Sequence, residues 1–344
     1  MIKTLLALLL GLVILNAAQA QKNDSTIYYF NKSGKQVYVK DSADYYRIIL
    51  PPDTSKSIGL YRVYDYYADG STKRVATSIN ASINLALDGV CTDYFHDGKT
   101  KITSKFKEGH LLDTMICYYP NGKLYAILNI EELRFGNFDD TYRFDKTNLG
   151  FFPYIDYHYK VRVGEMRDSI GKILVRSGTG HAIIFDDDHE KIIVQGDLKS
   201  DKKEGEWTGP IADSGKFVCT YHKNELKSGV SYINTGHKYP FKEFATNPRF
   251  SDGEDAFFVY LKKSIQYSES AKKANPKGIA EVRFYVETDG RITDVRLTEG
   301  VFKTLDDEFV RVVASSPLWL PATRFGIPVR VRYAFRFNYN SQLW

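Results

Sequence analysis

Cysteine is scarce in this chain: its 344 residues contain three, Cys91, Cys117 and Cys219. The number is odd and the spacing is wide, which excludes the dense disulfide framework of small secreted domains and the paired cysteines of zinc sites. Two interpretations stay open. Cys91 and Cys117 form one disulfide if neighbouring strands bring them together in an oxidising compartment, or the cysteines are buried free thiols.

The common signatures of enzymes are also missing. The seven histidines are scattered, none of them lies in His-Glu-x-x-His, and no serine lies in Gly-x-Ser-x-Gly. The acidic segment 186–190 lacks the alternating ligands and the glycine of a calcium loop, and an acidic hairpin turn between Ile183-Ile184 and Ile192-Ile193 explains it better. We therefore predict no catalytic residues, no metal site, no cofactor and no small-molecule substrate.

Positive charge and proline are both spread thinly. The formal net charge of +5 falls to +4 once Lys3 is removed, which favours neither a nucleic-acid-binding protein nor a membrane-surface protein. The 11 prolines form no proline-rich spacer. With 43% hydrophobic residues the chain can bury a core, and its length suggests two or more domains.

The amino terminus has the pattern of a secretory signal peptide. Lys3 precedes an apolar run from Thr4 to Ala18, and the small residues Ala18 and Ala20 stand at the −3 and −1 positions of a cleavage site. The run is shorter than the roughly 20 residues that span a bilayer. We therefore predict cleavage after Ala20 and export; retention of residues 1–20 as a membrane anchor is the alternative.

A repeated phrase of two aromatic residues, a short turn and a glycine runs through the first half of the chain. It occurs at 66–70, 94–99 and 118–123, with a looser copy at 29–35. The Asp-Gly and Asn-Gly pairs favour hairpin turns because they tolerate positive φ. The phrase Tyr-Tyr-x-Asn-Gly-Lys resembles the MORN-type repeats of bacterial envelope proteins. The resemblance implies β-hairpin repeats over residues 21–245 and no chemistry.

From about residue 250 the pattern changes to helices and longer strands. Phe258, Leu261 and Ile265 recur at helical spacing and predict an amphipathic helix from Asp252. Thr304 is predicted to cap a second helix, with Asp307 as its capping-box partner. The predicted buried stripe of that second helix consists of Leu305, Phe309, Val312 and Val313.

Two strands and a tight turn are predicted between these helices. Ala280, Val282, Phe284 and Val286 alternate with polar residues, and Asp289-Gly290 then turns the chain. A two-residue loop there would pair Phe284 with Val295 and Val282 with Leu297. A final strand places Val329, Val331, Tyr333, Phe335 and Phe337 on one face.

The order helix, strand, strand, helix, strand, together with the phrase Trp319-Leu320-Pro321-Ala322 and the closing strand, resembles the C-terminal domain of TonB. TonB is an energy transducer that acts on outer-membrane transporters. The resemblance covers about residues 250–340, and it implies a small α+β domain at 250–344 with two helices on a three-stranded antiparallel sheet. Family members often carry Tyr-Pro after the first helix. Here Ser268 follows Tyr267, a departure expected to alter only a loop.

In that family the last strand is the docking edge for an extended partner segment, because an edge strand has unpaired backbone groups. The resemblance therefore assigns docking to the strand 329–338, and the residues assigned are Val329, Arg330, Val331, Arg332, Tyr333, Phe335 and Arg336. The three arginines would favour an acidic partner. Alternatively, they form a solvated face that protects the edge from aggregation.

These observations predict a multidomain, mainly antiparallel β protein with a TonB-like domain at its carboxyl end. We expect an exported, non-enzymatic protein-interaction module of the cell envelope, in the periplasm and associated with the outer membrane. The expected partner is a protein, such as a segment of an outer-membrane transporter. The alternatives are a self-pairing homodimeric scaffold, and an anchored energy transducer if residues 1–20 are retained.

Overall fold

The computed structural model of the chain describes residues 25–52, 59–132 and 159–339. Two compact units make up the chain, residues 1–204 and 205–344. The described part contains 25 strands and three α-helices, and the strands pair antiparallel, so the prediction of a mainly antiparallel β protein is confirmed. The predicted signal segment, residues 1–20, lies outside the described residues.

The first unit is an antiparallel meander. From β3 to β12, each strand pairs with the next one along the chain, and β1 pairs with both β2 and β3. The strands are β1 (Thr26–Phe30), β2 (Gln36–Val37), β3 (Tyr45–Leu50), β4 (Tyr61–Tyr67), β5 (Thr72–Ser78), β6 (Gly89–Tyr94), β7 (Thr100–Lys107), β8 (His110–Tyr118), β9 (Leu124–Glu132), β10 (Tyr159–Arg167), β11 (Ile173–Arg176), β12 (Thr179–Phe185) and β13 (Ile192–Lys199).

The repeated aromatic–glycine phrase forms the same turn in each copy. Backbone N–H···O=C bonds of 2.8–2.9 Å close the turns, and φ of the four glycines lies between +78° and +88°. In three copies the side chain before the glycine accepts the N–H of the residue after it, at 2.9–3.0 Å. The acceptors are Asp69, Asp97 and Asn121. The sequence pattern therefore has a geometric cause: glycine supplies the positive φ, and Asp or Asn closes the turn.

Two tyrosine hydroxyls join one turn to the next. The second aromatic residue of each phrase is buried, and the Tyr67 hydroxyl donates to the carbonyl oxygen of Tyr94 at 3.0 Å. The Tyr119 hydroxyl donates to the carbonyl oxygen of Arg167 at 2.8 Å. Tyr94 and Arg167 each stand just before the turn of the following hairpin. Successive hairpins are therefore fastened by buried side chains as well as by their backbones.

A ladder of alternating charges is buried across four neighbouring strands of the first unit. Arg47 on β3 contacts Asp65 on β4 through two bonds of 2.7 and 3.0 Å. Arg74 on β5 lies 3.8 Å from Asp65 and bonds to Asp93 on β6 at 2.6 Å. All four side chains are buried, and each is directly opposite the next in the strand register. Each charge therefore has an opposite charge beside it, which buried ions require.

The three cysteines are free and buried. Cys91 lies on β6 and Cys117 on β8, and β7 runs between these two strands, so no disulfide joins them. Burial raises the pKa of both thiols to about 12, which leaves them protonated at neutral pH. The second of the two interpretations, buried free thiols, therefore describes this chain.

The acidic segment 186–190 is a hairpin turn, as predicted. It links β12 and β13, which pair antiparallel, and the Asp186 carboxylate accepts the backbone N–H groups of Glu190 and Lys191 at 2.7 and 3.1 Å. Asp187 forms an ion pair of 2.6 Å with the buried ammonium of Lys101. His189 packs among aromatic rings, including those of Tyr125 and Phe185. The carboxylates of Asp186 and Asp187 thus have structural partners.

The second unit begins with a four-stranded meander and continues with helices and smaller sheets. Its helices are α1 (Glu254–Ser264), α2 (Glu269–Ala274) and α3 (Lys303–Ala314). Its strands are β14 (Lys202–Ile211, which starts in the first unit), β15 (Gly215–His222), β16 (Glu225–Ile233), β17 (Lys238–Phe241), β18 (Ala245–Thr246), β19 (Arg249–Phe250), β20 (Gly278–Val286), β21 (Ile292–Glu299), β22 (Trp319–Leu320), β23 (Ala322–Arg324), β24 (Ile327–Val329) and β25 (Val331–Tyr339).

The carboxyl-terminal part of this unit is a three-stranded antiparallel sheet in the order β21-β20-β25, with helices on one face. The inward residues of β20, namely Ala280, Val282, Phe284 and Val286, are buried as their alternation predicted. The predicted stripe of α3 is buried as well.

A third helix, α2, was not predicted. The Ser268 side chain caps it by accepting the N–H of Ala271 at 3.2 Å, so the residue that departs from the family pattern starts a helix rather than altering only a loop.

Two details of the helix predictions are wrong. On α1, Phe257 is 1% exposed and lies in the core, whereas Phe258 is 36% exposed at the border of the sheet. Thr304 does not cap α3, which begins at Lys303. Instead the buried Asp306 carboxylate accepts the N–H of Val301 just before the helix, with both oxygens at 3.0 Å. A carboxylate here also compensates the positive end of the helix dipole.

The turn between β20 and β21 is longer than predicted. Glu287 and Arg291 close a three-residue loop, and Asp294 and Val295 together oppose Phe284 in a β-bulge. The predicted pairing of Val282 with Leu297 is confirmed, whereas the bulge replaces the predicted one-to-one pairing of Phe284 with Val295. Asp294 has a φ of +53°, the left-handed conformation that Asp tolerates better than most residues.

Trp319 joins this turn to the core. Its indole ring lies 4.9–5.9 Å from four aromatic rings, those of Phe250, Phe257, Phe284 and Tyr333. Its backbone N–H donates to the carbonyl oxygen of Gly290 at 2.9 Å. A Cβ at Gly290 would lie 2.0 Å from the carbonyl oxygen of Trp319. Glycine is therefore required at position 290 both by its φ of +86° and by this close approach.

A second aromatic cluster of this unit surrounds Phe325. Its ring stacks on Phe217 of β15 at 4.9 Å and contacts Phe244 at 5.4 Å. Its backbone carbonyl accepts the Ser231 hydroxyl at 2.6 Å, and its N–H donates to the Phe244 carbonyl at 2.7 Å. The compact unit therefore extends beyond the small α+β domain and includes the last meander strands.

We predict that Asp65→Asn destabilises the first unit by about 3–5 kcal/mol, because it removes the carboxylate between two buried guanidinium groups. Urea unfolding followed by circular dichroism measures the change. Asp97→Asn is the control, since Asp97 lies in an exposed turn and its amide replacement retains the acceptor oxygen. A loss no greater than that of the control would contradict the role of the ladder.

Gly290→Ala should cost about 1–3 kcal/mol more than Gly236→Ala, because only the first substitution overpacks a neighbouring backbone. The control is closely matched: Gly236 lies in the same unit with a φ of +88°, and a Cβ there meets nothing within 4 Å. Free energies of unfolding from urea titration give the comparison. Equal losses of unfolding free energy in the two variants would show that the positive φ alone determines the cost, and that the contact with Trp319 is not tight.

Candidate functional site

The strand assigned to docking lies at an edge of the three-stranded sheet. β25 pairs with β20 over nine residue pairs, from Gly278↔Tyr339 to Val286↔Val331. Across residues 25–52, 59–132 and 159–339, no strand pairs with its other side. In an antiparallel ladder, alternate residues point their N–H and C=O groups away from the paired neighbour. The outer side of β25 therefore presents a row of backbone donors and acceptors.

The structure brings five of the seven assigned residues together on β25, namely Val331, Arg332, Tyr333, Phe335 and Arg336. The other two lie apart from this strand. Val329 belongs to β24, where it is opposite Ala322 in a different sheet, and Arg330 links β24 to β25. The predicted single strand is thus interrupted at position 330.

The helix-facing side of β25 is apolar. Phe335, Phe337 and Tyr339 are buried, and Tyr333 lies between Phe284 at 5.7 Å and Trp319 at 5.4 Å. The Phe335 ring also meets Phe257 of α1 at 4.8 Å. This alternation fixes which side chains of the edge strand point away from the helices.

Two of the three arginines are already paired on the open face. Arg330 donates to the Glu287 carboxylate at 2.9 and 3.1 Å, and its guanidinium lies 3.5 Å from the ring centroid of Tyr285. Arg336 donates to Glu281 at 2.7 Å. Both arginines therefore have carboxylate partners within the domain. Arg332 is exposed and forms no ion pair with any residue that the structure describes.

Glu281 is the centre of the polar network on this face. It accepts from Arg336 at 2.7 Å, from the Thr298 hydroxyl at 2.8 Å and from Arg283 at 2.9 Å. These hydrogen bonds, with that of Arg336 the largest contribution, lower the pKa of Glu281 to about 2. The carboxylate joins all three strands of the sheet, because its donors lie on β20, β21 and β25.

The partners of these arginines were not predicted from the sequence, and Phe258 was assigned to the buried stripe of the first helix rather than to the border of the sheet. The Phe258 ring lies beside the edge strand, 5.2 Å from Phe335 and 6.0 Å from Phe337. The only signal in the sequence was the adjacent pair Phe257-Phe258, of which a helix can bury one residue and leave the other near its border. Among the residues that the structure describes, no group of three or more His, Cys, Asp or Glu side chains could hold a metal ion.

The fold and the edge together define an α+β domain with helices on one face of a sheet, and no described strand pairs with the outer side of its last strand. Residues 263–341 match the family described as Gram-negative bacterial TonB protein C-terminal. The match covers under a quarter of the chain, and it confirms the predicted TonB-like C-terminal domain. No curated protein matches the chain.

Domains of this family are non-enzymatic protein-interaction domains of the bacterial envelope, so the chain carries a domain of that class. None of the helices in the described ranges is both long and apolar enough to cross a bilayer.

The stability of the C-terminal domain should fall as the pH drops from about 4.5 toward 2. The folded pKa of Glu281 lies near 2 and its ordinary value is 4.5, so its contribution is fully present above the ordinary value and is lost as pH falls through the folded one. Urea unfolding at pH 7 and pH 3 should show a smaller difference for Glu281→Gln than for the wild type. Glu299→Gln is the control, since Glu299 lies opposite Glu281 but accepts no hydrogen bond from the described residues. An unchanged pH dependence in Glu281→Gln would refute the network.

Proposed function

We propose that this protein is an exported interaction module of the cell envelope that binds an extended segment of a protein partner along β25. The observation that carries the proposal is the unpaired outer side of this nine-residue strand in a TonB-like domain. A partner strand would satisfy the free backbone groups by extending the sheet, which is how edge strands recruit peptides.

The docking residues of the proposal are those on β25, with Val329 and Arg330 at the entrance. The backbone supplies affinity, and the outward side chains supply selectivity. The core side chains Phe335 and Phe337 hold the strand flat against the helices. The edge therefore requires no rearrangement of the core before a partner binds.

The proposed location is the periplasm, with cleavage after Ala20 and association with the outer membrane through the partner. A segment of an outer-membrane transporter is the partner that the TonB-like domain favours. We propose that MORN-like hairpins over residues 21–245 precede a TonB-like domain at 250–344. Cleavage after Ala20 would leave a binding protein without a membrane anchor, whereas retention of residues 1–20 would favour an anchored transducer.

A self-pairing scaffold is the second candidate function, and the same free edge is the reason to consider it. The β25 strands of two copies could pair with each other and join their two sheets into one continuous sheet. The edge arginines oppose this arrangement, because antiparallel pairing of two such strands would bring positive side chains onto one face.

Site-specific photo-crosslinking in envelope preparations distinguishes these functions. A photoreactive phenylalanine analogue placed at Ala334 or Asn338, both exposed on β25, should yield several-fold more adduct with another protein than the analogue at Glu299 on the opposite edge strand β21. The reason is that strand addition brings a partner within contact distance of β25 alone.

The adduct mass and the mature amino terminus decide between the alternatives. An adduct with the mass of two copies would replace docking by the self-pairing scaffold. Equal yields at the two edges would contradict strand addition. Amino-terminal sequencing should begin at Gln21, and a chain that begins at Met1 would favour the anchored transducer.

A further inference from the structure

The edge of β25 has two chemically different walls. On the face that packs against the helices, the side chains of β25 lie among apolar residues. On the opposite, open face they lie among arginines and glutamates. A partner strand that extends the sheet must alternate in the same way, because successive side chains of a strand point to opposite faces. The two walls therefore constrain which sequences fit.

The helix-side wall beyond the edge is formed by Phe258. Its ring is in contact with Phe335 and Phe337 but remains 36% exposed. On the same face of α1, Asp255 precedes Phe258 by three residues and Lys262 follows it by four, so the two flanking charges have opposite signs. The wall thus offers an uncharged apolar surface, which suits an aliphatic or aromatic side chain of the partner.

Of the three arginines at 330, 332 and 336, Arg332 is the one that forms no ion pair with any residue that the structure describes. Five arginines and no acidic residue follow Glu308 in the chain. Arg311 is held by Glu308, and Arg330 and Arg336 are held by Glu287 and Glu281. Arg332 lies between the last two on the strand, opposite the uncharged Tyr285 in the register. A side chain of an added strand directly opposite Arg332 would lie within about 5 Å of it, Cβ to Cβ.

We propose that the β25 edge selects an extended segment in which acidic and apolar residues alternate, with Asp or Glu beside Arg332 and an apolar residue against Phe258. The selection rests on the proposed docking function and adds the chemistry of the partner to it. A second copy of this strand lacks the acidic side chain that the selection requires, since its outward residues are Arg332, Ala334, Arg336 and Asn338. Arg332 on β25 carries the charge preference, and Phe258 on α1 provides the apolar contact.

Fluorescence anisotropy on the full mature chain with labelled octapeptides tests the selection. The probes are an alternating Val/Glu peptide, an alternating Val/Lys peptide, and a Val/Glu peptide with residues in blocks of two, which cannot place all its charges on one face. The Val/Glu alternating peptide should bind most tightly. Arg332→Ala should weaken it about 2–5-fold, the range of one exposed ion pair, and Arg332→Glu should reverse the preference toward Val/Lys.

Matched variants measure the contribution of each face of the edge to peptide binding. Arg296→Glu places the same change on the opposite edge strand β21 and should leave the order of the peptides unchanged. Phe258→Ala should weaken all the alternating peptides about 5-fold through lost apolar contact, whereas Leu318→Ala, at a residue that is 60% exposed elsewhere, should not. Circular dichroism of each variant confirms that the fold is kept.

The outcomes separate this selection from the docking function on which it rests. If crosslinks still form at Ala334 while the three peptides bind equally and Arg332→Glu changes nothing, the selection is overturned and docking stands. If no peptide binds and neither edge crosslinks, docking itself fails. An effect of Arg296→Glu equal to that of Arg332→Glu would also overturn the selection, because it would show a general charge effect.

Discussion

The indole ring of Trp319 is the contact around which the C-terminal domain is organised. Four aromatic rings surround it, one each from β19, α1, β20 and β25, and its backbone N–H donates to the turn that joins β20 to β21. The position of β25 follows from this arrangement, since Tyr333 packs on the same ring. A strand held so firmly from one side can remain unpaired on the other without losing its shape.

The open face of the same sheet distributes its charges unevenly. Glu281 and Glu287 neutralise two arginines of the carboxyl end, and the Glu281 carboxylate joins three strands through hydrogen bonds. This network stabilises the sheet and at the same time leaves Arg332 as the residue that an approaching strand would meet. Exposed ion pairs contribute little individually, but they determine where charge remains available.

Much of the fold could be predicted from the sequence, because alternation and turn chemistry are local signals. The inward residues of β20, the stripe of α3 and the repeated turns follow from spacing alone. The sequence pattern led to Phe258 rather than Phe257 as the core residue of α1, and this was wrong because either residue fits a helical stripe with Leu261. The partner of Arg336 is 55 residues away, so only the register of β25 against β20 reveals it. The α2 helix was missed because its six residues are too few to show periodicity.

The buried ladder Arg47–Asp65–Arg74–Asp93 has a consequence for how the meander assembles. The hairpins are built from nearly the same sequence repeat and have similar backbones and similar apolar faces. The alternation of apolar and polar residues alone would therefore allow the wrong strands to pair. Here each of the four strands carries one charge inside, and the sign changes from one strand to the next. Exchanging any two neighbours would place like charges side by side in the interior. The ladder thus disfavours the exchange of neighbouring strands, a selectivity that the repeated turns cannot supply.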